Sequence, residues 1–253
     1  MDSIYAHPLY YEIAYGYRDV AAETDVMEDA KARFSESSGR RVLEVACGPA
    51  PHLTEWARRG YSYTGLDLDA RMLVRAETRA AEWPGAAALL HGDLASFSLP
   101  QPVDFAYVLL GSLYAPDTAA LEAHFRAMAA ALNPGALYLM EWCVDFEPFT
   151  DCVDTWRWEQ NGAATVTTYQ ARHVDRIAQI VEEDITLEVN DNGRTLRLKE
   201  TTRKRVMYPQ EFLRFIEGHP DFAFVGWWNN WDLRQPLEEA EAIMRPLIVI
   251  RRT

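Results

Sequence analysis

Short apolar runs alternate along the first 150 residues with segments whose apolar positions recur at helical spacing. The apolar runs predict buried strands at residues 42–45, in the stretch that ends at 67, and at 86–90, 103–110 and 136–142. Helical spacing predicts helices at 25–38, after 53, at 69–82 and at 117–132. Near-continuous apolar strands separated by helices are typical of a parallel sheet that is covered on both faces. The pattern therefore predicts an α/β fold.

The pattern changes after about residue 154. Three stretches, at 165–173, 177–189 and 195–207, alternate apolar and polar positions as antiparallel strands do, and Asn192-Gly193 is a good hairpin signal. A helix at 209–215 and strands at 222–228 and 247–251 are predicted to follow. We therefore predict a single domain with four parts: an N-terminal helical cap (1–40), an α/β core (41–150), an antiparallel insertion (151–207) and a segment that completes the core (208–253).

The turn after the first predicted strand carries a candidate nucleoside site. The sequence Glu44-Val45-Ala46-Cys47-Gly48 ends that strand, and Asp67 ends the next one, 19 residues after Gly48. A carboxylate at that place can accept hydrogen bonds from both ribose hydroxyls, as it also does in nicotinamide enzymes. The turn has one glycine, and Pro49 and Pro51 carry no N–H, so it is poorly suited to hold a diphosphate. The turn therefore favours a nucleoside without phosphates.

These residues resemble the class I S-adenosylmethionine (SAM)-dependent methyltransferases. The family pattern is an acid, any residue, Gly or Ala, Cys, Gly, any residue and Gly; this chain departs from it at the last position, where Ala50 replaces glycine. The resemblance implies a Rossmann-like, seven-stranded, mostly parallel sheet flanked by helices. The antiparallel insertion after the fifth strand resembles the lid sheet of enzymes similar to glycine N-methyltransferase and aminosugar N-methyltransferases.

The resemblance also implies which residues bind SAM and its product S-adenosylhomocysteine. It assigns the methionine part to Glu44 and the backbone of residues 46–48, the ribose to Asp67, and the adenine to Asp93 and Leu94. The full predicted set is Tyr11, Glu44, Ala46, Cys47, Gly48, Asp67, Leu68, Met72, Asp93, Leu94, Leu110 and Gly111. Cys47 is interpreted as a small packing residue rather than a nucleophile.

The implied reaction is an in-line methyl transfer to a small molecule, in which the protein mainly holds two partners at attack distance in a dry site. An amine acceptor must lose a proton, and Tyr11, Tyr114, Glu141 or His173 could receive it or orient the acceptor. An amine is preferred over oxygen because of the lid resemblance and the acidic composition. The alternatives are a small-molecule O-methyltransferase acting on a carboxylate or hydroxyl, and a SAM- or nucleoside-binding protein without catalysis.

Charge and cysteine usage limit the partners. The net charge of −13, from 25 basic and 38 acidic side chains, argues against nucleic acid and anionic membranes as partners. No metal motif is present, and three cysteines do not make a disulfide framework. We therefore expect a cytoplasmic monomer or homodimer with a small-molecule acceptor and no metal.

The N-terminal tyrosines and the antiparallel insertion are expected to form a two-sided lid. Five tyrosines lie between Tyr5 and Tyr17, ahead of the first strand of the core. A segment at that place can fold over the cofactor, and the insertion leaves from the sheet edge where the predicted site lies. The hypothesis places Tyr11 at the cofactor or acceptor and the Asn192-Gly193 turn far from the chemistry.

Overall fold

The computed structural model describes residues 1–253 and contains two sheets. The helices are α1 (Pro8–Ala14), α2 (Val20–Phe34), α3 (Leu53–Arg58), α4 (Ala70–Ala80), α5 (Thr118–Ala131) and α6 (Pro209–Glu217). The strands are β1 (Arg41–Val45), β2 (Ser62–Asp67), β3 (Ala87–His91), β4 (Val103–Val108), β5 (Leu132–Glu141), β6 (Cys152–Gln160), β7 (Ala163–Asp175), β8 (Ile180–Asp191), β9 (Arg194–Arg205), β10 (Phe222–Trp228) and β11 (Leu247–Arg252). Two 3-10 helices cover Ile4–Ala6 and Leu237–Glu239.

The main sheet has seven strands in the order β10-β11-β5-β4-β1-β2-β3. β11 runs antiparallel to both of its neighbours, and the other neighbouring pairs are parallel. The predicted α/β class, with a mostly parallel seven-stranded sheet, is therefore confirmed. The strand order reverses between β1 and β4, and ligands of open α/β sheets bind outside the carboxyl ends of the strands at such a point.

Helices cover both faces of the main sheet. On one face α2, α3 and α4 pack on β1, β2 and β4 through side chains that include Met27, Trp56 and Leu73. On the other face α5 and α6 pack through Phe125 and Phe212. None of the helices is long and apolar enough to cross a bilayer.

The second sheet is antiparallel, with strand order β6-β7-β8-β9. Its inner face carries Ile185, Leu187 and Leu198, which pack on Ile4 and Ala14 of the N-terminal segment. The Trp156 indole N–H donates to the Ala14 carbonyl at 2.8 Å. The N-terminal segment therefore lies against the inner face of the second sheet.

The structure differs from the prediction at one helix and one strand. The helix expected at 25–38 begins at Val20, because the Asp19 carboxylate accepts from Ala22 N at 3.0 Å. It ends at Phe34, since Ser35 turns to extended backbone; Gly39 is not its stop but leaves room for the Asp104 carboxylate. The sequence also gave no sign of β6, an edge strand with almost every side chain exposed, so that no apolar face repeats along it.

Candidate functional site

The turn after β1 has an unusual backbone. Ala46, Gly48 and Ala50 all take positive φ, at 53°, 55° and 53°. Left-handed backbone at a residue other than glycine costs energy and clusters at binding sites. A Cβ placed on Gly48 would meet only the Tyr11 ring, at 3.9 Å. The space in front of Gly48 is therefore open and bounded by Tyr11, which fits the bound methionine part of SAM.

Asp67 joins the end of β2 to this turn. Its Oδ2 accepts from Gly48 N at 2.7 Å and its Oδ1 accepts from Asp69 N at 2.8 Å. Burial raises the pKa of the Asp67 carboxyl, and the two N–H donors act against that rise. Each oxygen keeps a second lone pair for a ribose hydroxyl, and the neighbouring Leu68 exposes 68% of its surface. The predicted ribose contact is compatible with this arrangement and stays a prediction.

Two other predicted cofactor residues, Cys47 and Met72, are buried. Cys47 is buried, burial raises the pKa of its thiol well above the usual range, and its sulfur sits against Gly65 of β2. A buried, neutral thiol is a packing group, as the sequence indicated. Met72 is buried in the first turn of α4. Their contact with SAM stays a prediction.

Asp93 and Leu94 form the loop after β3. Asp93 is exposed and accepts from Ala95 N at 2.8 Å. The Leu94 carbonyl accepts from His124 Nδ1 at 2.9 Å, and His124 Nε2 lies 2.9 Å from the Tyr138 hydroxyl. Burial lowers the pKa of His124 to about 4, so the ring is neutral and its Nε2 accepts from Tyr138. His124 therefore fixes the loop that is predicted to bind adenine.

Glu44 does not face the turn. Its Oε2 accepts from the hydroxyls of Tyr63 at 2.5 Å and Tyr107 at 2.9 Å, and its Oε1 lies 3.3 Å from His52 Nδ1. The residue is 4% exposed. Direct contact with the methionine part of SAM stays a prediction, and the visible function of Glu44 is to anchor the strand beneath the turn.

Glu44 belongs to a buried ionic cluster that sequence analysis did not find; its members are Arg18, Glu23, Glu44, His52, Glu141 and Arg245. Glu23 lies at its centre and contacts Arg18, His52 Nε2 at 2.9 Å and Arg245 at 2.7 Å. Burial acts to raise the pKa of Glu23, but the bonds from His52 and Arg18 hold it well below its usual range. Burial acts to lower the pKa of His52, and the two flanking carboxylates raise it nonetheless.

Glu141, a predicted proton acceptor, is a member of this cluster and does not line the cavity described next. Its Oε2 accepts from Leu110 N at 2.9 Å, and its Oε1 accepts from Trp231 Nε1 at 2.8 Å and Arg245 Nε at 2.6 Å. The side chain is fully buried. With both oxygens occupied, Glu141 holds the left-handed backbone of Leu110 (φ 56°) and Gly111 (φ 66°) at the end of β4.

A cavity of about 410 Å³ opens at the carboxyl edge of the main sheet. Its walls are the loops after β4 and β5, the inner face of the second sheet, and the N-terminal residues Tyr5, Tyr11, Tyr15 and Tyr17. The structure brings together here the predicted residues Tyr11, Leu110, Gly111, Tyr114 and His173. The volume lies in the range of sites for small molecules.

The buried tyrosines of the cavity are donors rather than bases. Burial raises the pKa of the hydroxyls of Tyr5, Tyr11 and Tyr114 well above the usual range. Each therefore keeps its proton at neutral pH. Tyr11 and Tyr114 can orient an acceptor by hydrogen bonding, but a protonated phenol does not take a proton from an amine.

His173 is the one histidine at the cavity wall. Its side chain is 4% exposed; Nε2 lies 3.3 Å from Asp145 Oδ2 and Nδ1 lies 3.5 Å from Asp151 Oδ1. Neither ring nitrogen completes a hydrogen bond within the chain. A buried imidazole beside carboxylates, with unsatisfied nitrogens, can receive a proton from a molecule in the cavity.

Sequence analysis missed a linked group of three polar residues in the cavity wall, Tyr169, Glu183 and Lys204. Glu183 Oε1 accepts from the Tyr169 hydroxyl at 2.6 Å and lies 2.7 Å from Lys204 Nζ. Lys204 Nζ also donates to the Gly111 carbonyl at 3.0 Å. A signal was present in β8, since Glu183 occupies the apolar face of an alternating strand between Val181 and Ile185. A charge on a face meant for burial indicates a partner or a ligand.

Known proteins with similar sequences are methyltransferases. A family model described as a methyltransferase domain matches residues 42–135. A dTDP-3-amino-3,4,6-trideoxy-alpha-D-glucopyranose N,N-dimethyltransferase from Streptomyces venezuelae is 28% identical over 188 residues, which are 71% of this chain and 73% of that protein. A dTDP-4-amino-2,3,4,6-tetradeoxy-D-glucose N,N-dimethyltransferase from Saccharopolyspora spinosa is 29% identical over 228 residues, 88% of this chain and 79% of that protein.

Solved structures show the same fold. DesVI from Streptomyces venezuelae has a TM-score of 0.73 at 21% identity, covering 97% of this chain and 96% of that one. The SAM-bound amino pentose methyltransferase CalS10 from Micromonospora echinaspora has a TM-score of 0.71 at 22% identity, covering 96% and 97% of the two chains. The chain therefore shares the fold of these two proteins over almost all of its length.

Proposed function

We propose that the chain is a class I SAM-dependent methyltransferase acting on a small molecule, and that its acceptor is the amino group of a nucleotide-linked amino sugar. The relatives with detectable sequence similarity are named for N,N-dimethylation of such sugars. SAM supplies a methyl group carried on a positively charged sulfur. The chain supplies the binding, the orientation and the proton acceptor.

The acidic lining of the cavity is the observation that carries this proposal. Asp145, Glu147, Asp154 and Glu183 all border it, against the basic residues Lys204 and Arg205. A cavity with an excess of carboxylates attracts an amine in its cationic form and disfavours a carboxylate acceptor. The sugar ring then lies in the cavity, and its nucleotide extends from the mouth.

His173 is our proposed proton acceptor. An amine attacks only as the free base, so the ammonium that enters from water must first lose a proton. The His173 ring receives it, and the Asp145 carboxylate at 3.3 Å stabilises the imidazolium that results. Tyr11 and Tyr114 hold the acceptor by hydrogen bonds. Glu141, which the sequence suggested for this step, instead positions Leu110 and Gly111.

Closure of the cavity is also proposed to come from two sides. The N-terminal tyrosines form one wall and the inner face of the second sheet forms the other. The Trp156–Ala14 hydrogen bond and the packing of Ile4 on Leu187 join these two walls. A closed, dry cavity keeps the acceptor oriented, because water no longer competes for its hydrogen bonds. The Asn192-Gly193 turn does not border the cavity.

The partners that we propose are few. With a net charge of −13, the enzyme is expected to work without nucleic acid or anionic membrane. All three cysteines are unpaired, as suits a reducing, cytoplasmic location. A monomer or a homodimer is expected.

Turnover with matched sugars tests the proposal. The purified enzyme is given SAM and the nucleotide-linked amino sugars for which its three relatives are named, each beside an analogue with a hydroxyl in place of the amine. We expect S-adenosylhomocysteine to form with at least one amine and with none of the hydroxyl analogues. Turnover of the hydroxyl analogues alone would make the chain an O-methyltransferase and refute the amine assignment.

A further inference from the structure

We propose that Glu183 binds the acceptor amine by accepting one of its N–H bonds at Oε2, and that this contact limits the enzyme to two methyl transfers. The inference rests on the proposed function, since it takes the acceptor to be a primary amine. It adds a substrate-binding residue on the second sheet, outside the SAM-binding core.

The two oxygens of Glu183 have different surroundings. Oε1 receives the Tyr169 hydroxyl at 2.6 Å and lies 2.7 Å from Lys204 Nζ, whereas no side chain or backbone donor bonds to Oε2. The residue is 4% exposed and lines the cavity. A carboxylate oxygen in a largely buried residue needs a donor, and the cavity is where Oε2 can find one.

Lys204 fixes this carboxylate relative to the reacting region. Its Nζ donates to the Gly111 carbonyl at 3.0 Å, and Gly111 lies in the loop that follows β4. The same Nζ lies over the Tyr114 ring, 5.6 Å from the ring centroid. The ion pair thereby joins the second sheet to the loop at the carboxyl edge of the main sheet. Glu183 is held in place before a substrate arrives, so little ordering entropy is lost when it binds.

The sheet register leaves room beside Glu183. Its partner on β7 is Ala171, and its partner on β9 is Thr202, both small side chains. His173 lies two residues along β7 from Ala171, on the same face of the sheet and diagonal to Glu183. An amine at Oε2 is therefore close to the proposed proton acceptor.

The charge balance favours a neutral amine at Oε2. Lys204 already neutralises Glu183, so the carboxylate does not need a second cation. A hydrogen bond from the amine to Oε2 uses one N–H, so the nitrogen lone pair stays free to attack the methyl group of SAM. Each transfer forms an N–C bond as the C–S bond breaks, the electron pair of that bond stays on sulfur, and the new ammonium releases one proton.

The number of N–H bonds then sets the number of transfers. A primary amine has two, and the monomethylated amine keeps one that can still be donated to Oε2. A dimethylated amine has no N–H as the free base, and its protonated form has no lone pair. Glu183 therefore binds the first and second acceptors through an N–H, and it loses this contact with the dimethylated product once that product has given up its proton.

Substitution at Glu183 tests the contact, with a neighbour as the matched control. Glu183→Gln should raise KM for the amino sugar and lower kcat/KM by about 10- to 100-fold, because a charge-assisted hydrogen bond is lost. SAM affinity, measured by calorimetry, should not change. Glu182→Gln is the control: Glu182 lies on the outer face, paired with Arg172 and Arg203. Equal kinetics for the two variants would overturn the proposal.

Product binding to the unaltered enzyme gives a test that does not depend on the folding of a variant. Calorimetry with S-adenosylhomocysteine present should show the primary and monomethyl sugars binding at least tenfold more tightly than the dimethyl sugar above pH 8. Equal binding of all three would refute the inference. If the enzyme methylates none of the amino sugars tested, the proposed function itself fails, whereas amine turnover with an indifferent Glu183→Gln removes only this contact.

Discussion

His124 makes the enzyme less stable in mild acid. The ring is completely buried between the Leu94 carbonyl and the Tyr138 hydroxyl. Its pKa falls from 6.5 in the unfolded chain to about 4 in the fold, because burial disfavours the charged ring. The unfolded chain then binds the proton more readily than the folded chain does. The stability that the neutral His124 ring contributes is therefore fully present above pH 6.5 and is lost as the pH falls towards 4.

The size of the effect follows from the two pKa values. The difference between 6.5 and about 4 corresponds to about 3 kcal/mol when the pH lies below both values. Between pH 7 and pH 5 the same linkage removes about 2 kcal/mol of the free energy of unfolding. The loop that carries Asp93 and Leu94 loses its support at the same time, so SAM affinity should fall over this pH range as well.

Urea unfolding at pH 7 and pH 5 measures this loss in the free energy of unfolding, with the His124→Asn variant as the comparison. The amide of asparagine can still donate to Leu94 but does not titrate. His52, whose pKa is raised, contributes stability that is lost as the pH rises, in the opposite direction, and it does so in both proteins. Wild type should therefore lose about 2 kcal/mol more than the variant. Equal losses would show that His124 does not titrate abnormally.

Three further results are expected. Asp67→Ala should weaken SAM binding by about 1–3 kcal/mol in calorimetry, since ribose contacts and the Gly48 N–H bond are lost; unchanged affinity would place Asp67 outside the site. Tyr11→Phe should lower kcat/KM several-fold, whereas Tyr10→Phe, whose hydroxyl bonds the remote Asp191, should not; equal effects would contradict a cavity role for Tyr11. NAD should give no calorimetric signal, and detectable binding would overturn the interpretation of the β1 turn.

The main sheet was predictable because its information is local. Each of β1, β4 and β5 contains a short apolar run followed by a turn, and the Gly48–Asp67 spacing indicated the candidate nucleoside site at the β1 turn without any tertiary knowledge. Asp67 and Gly48 do meet, at 2.7 Å. The edge strand β6 was missed because almost all of its side chains are exposed on both faces, so that no apolar period marks it in the sequence.

The buried ionic cluster was not predictable, because its partners are distant in sequence. Arg245 and Glu23 are 222 residues apart and meet at 2.7 Å. Glu141 looked like a proton acceptor because it ends a strand at the site edge, but only the fold shows Leu110, Trp231 and Arg245 occupying its oxygens. The alternation along β8 does mark Glu183 as a charge on an apolar face. Its pairing with Lys204 could not be predicted, because it depends on the register between β8 and β9.

The position of the transferred methyl group on the product distinguishes N-methylation from O-methylation. The enzyme is incubated with SAM carrying a ¹³C-labelled methyl group and with the amino sugar that it turns over, and the product is examined by heteronuclear NMR. We expect labelled methyl protons to correlate with the ring carbon that carries nitrogen, first for one methyl group and then for two. A labelled methyl group on oxygen, with the amine unchanged, would refute N-methylation.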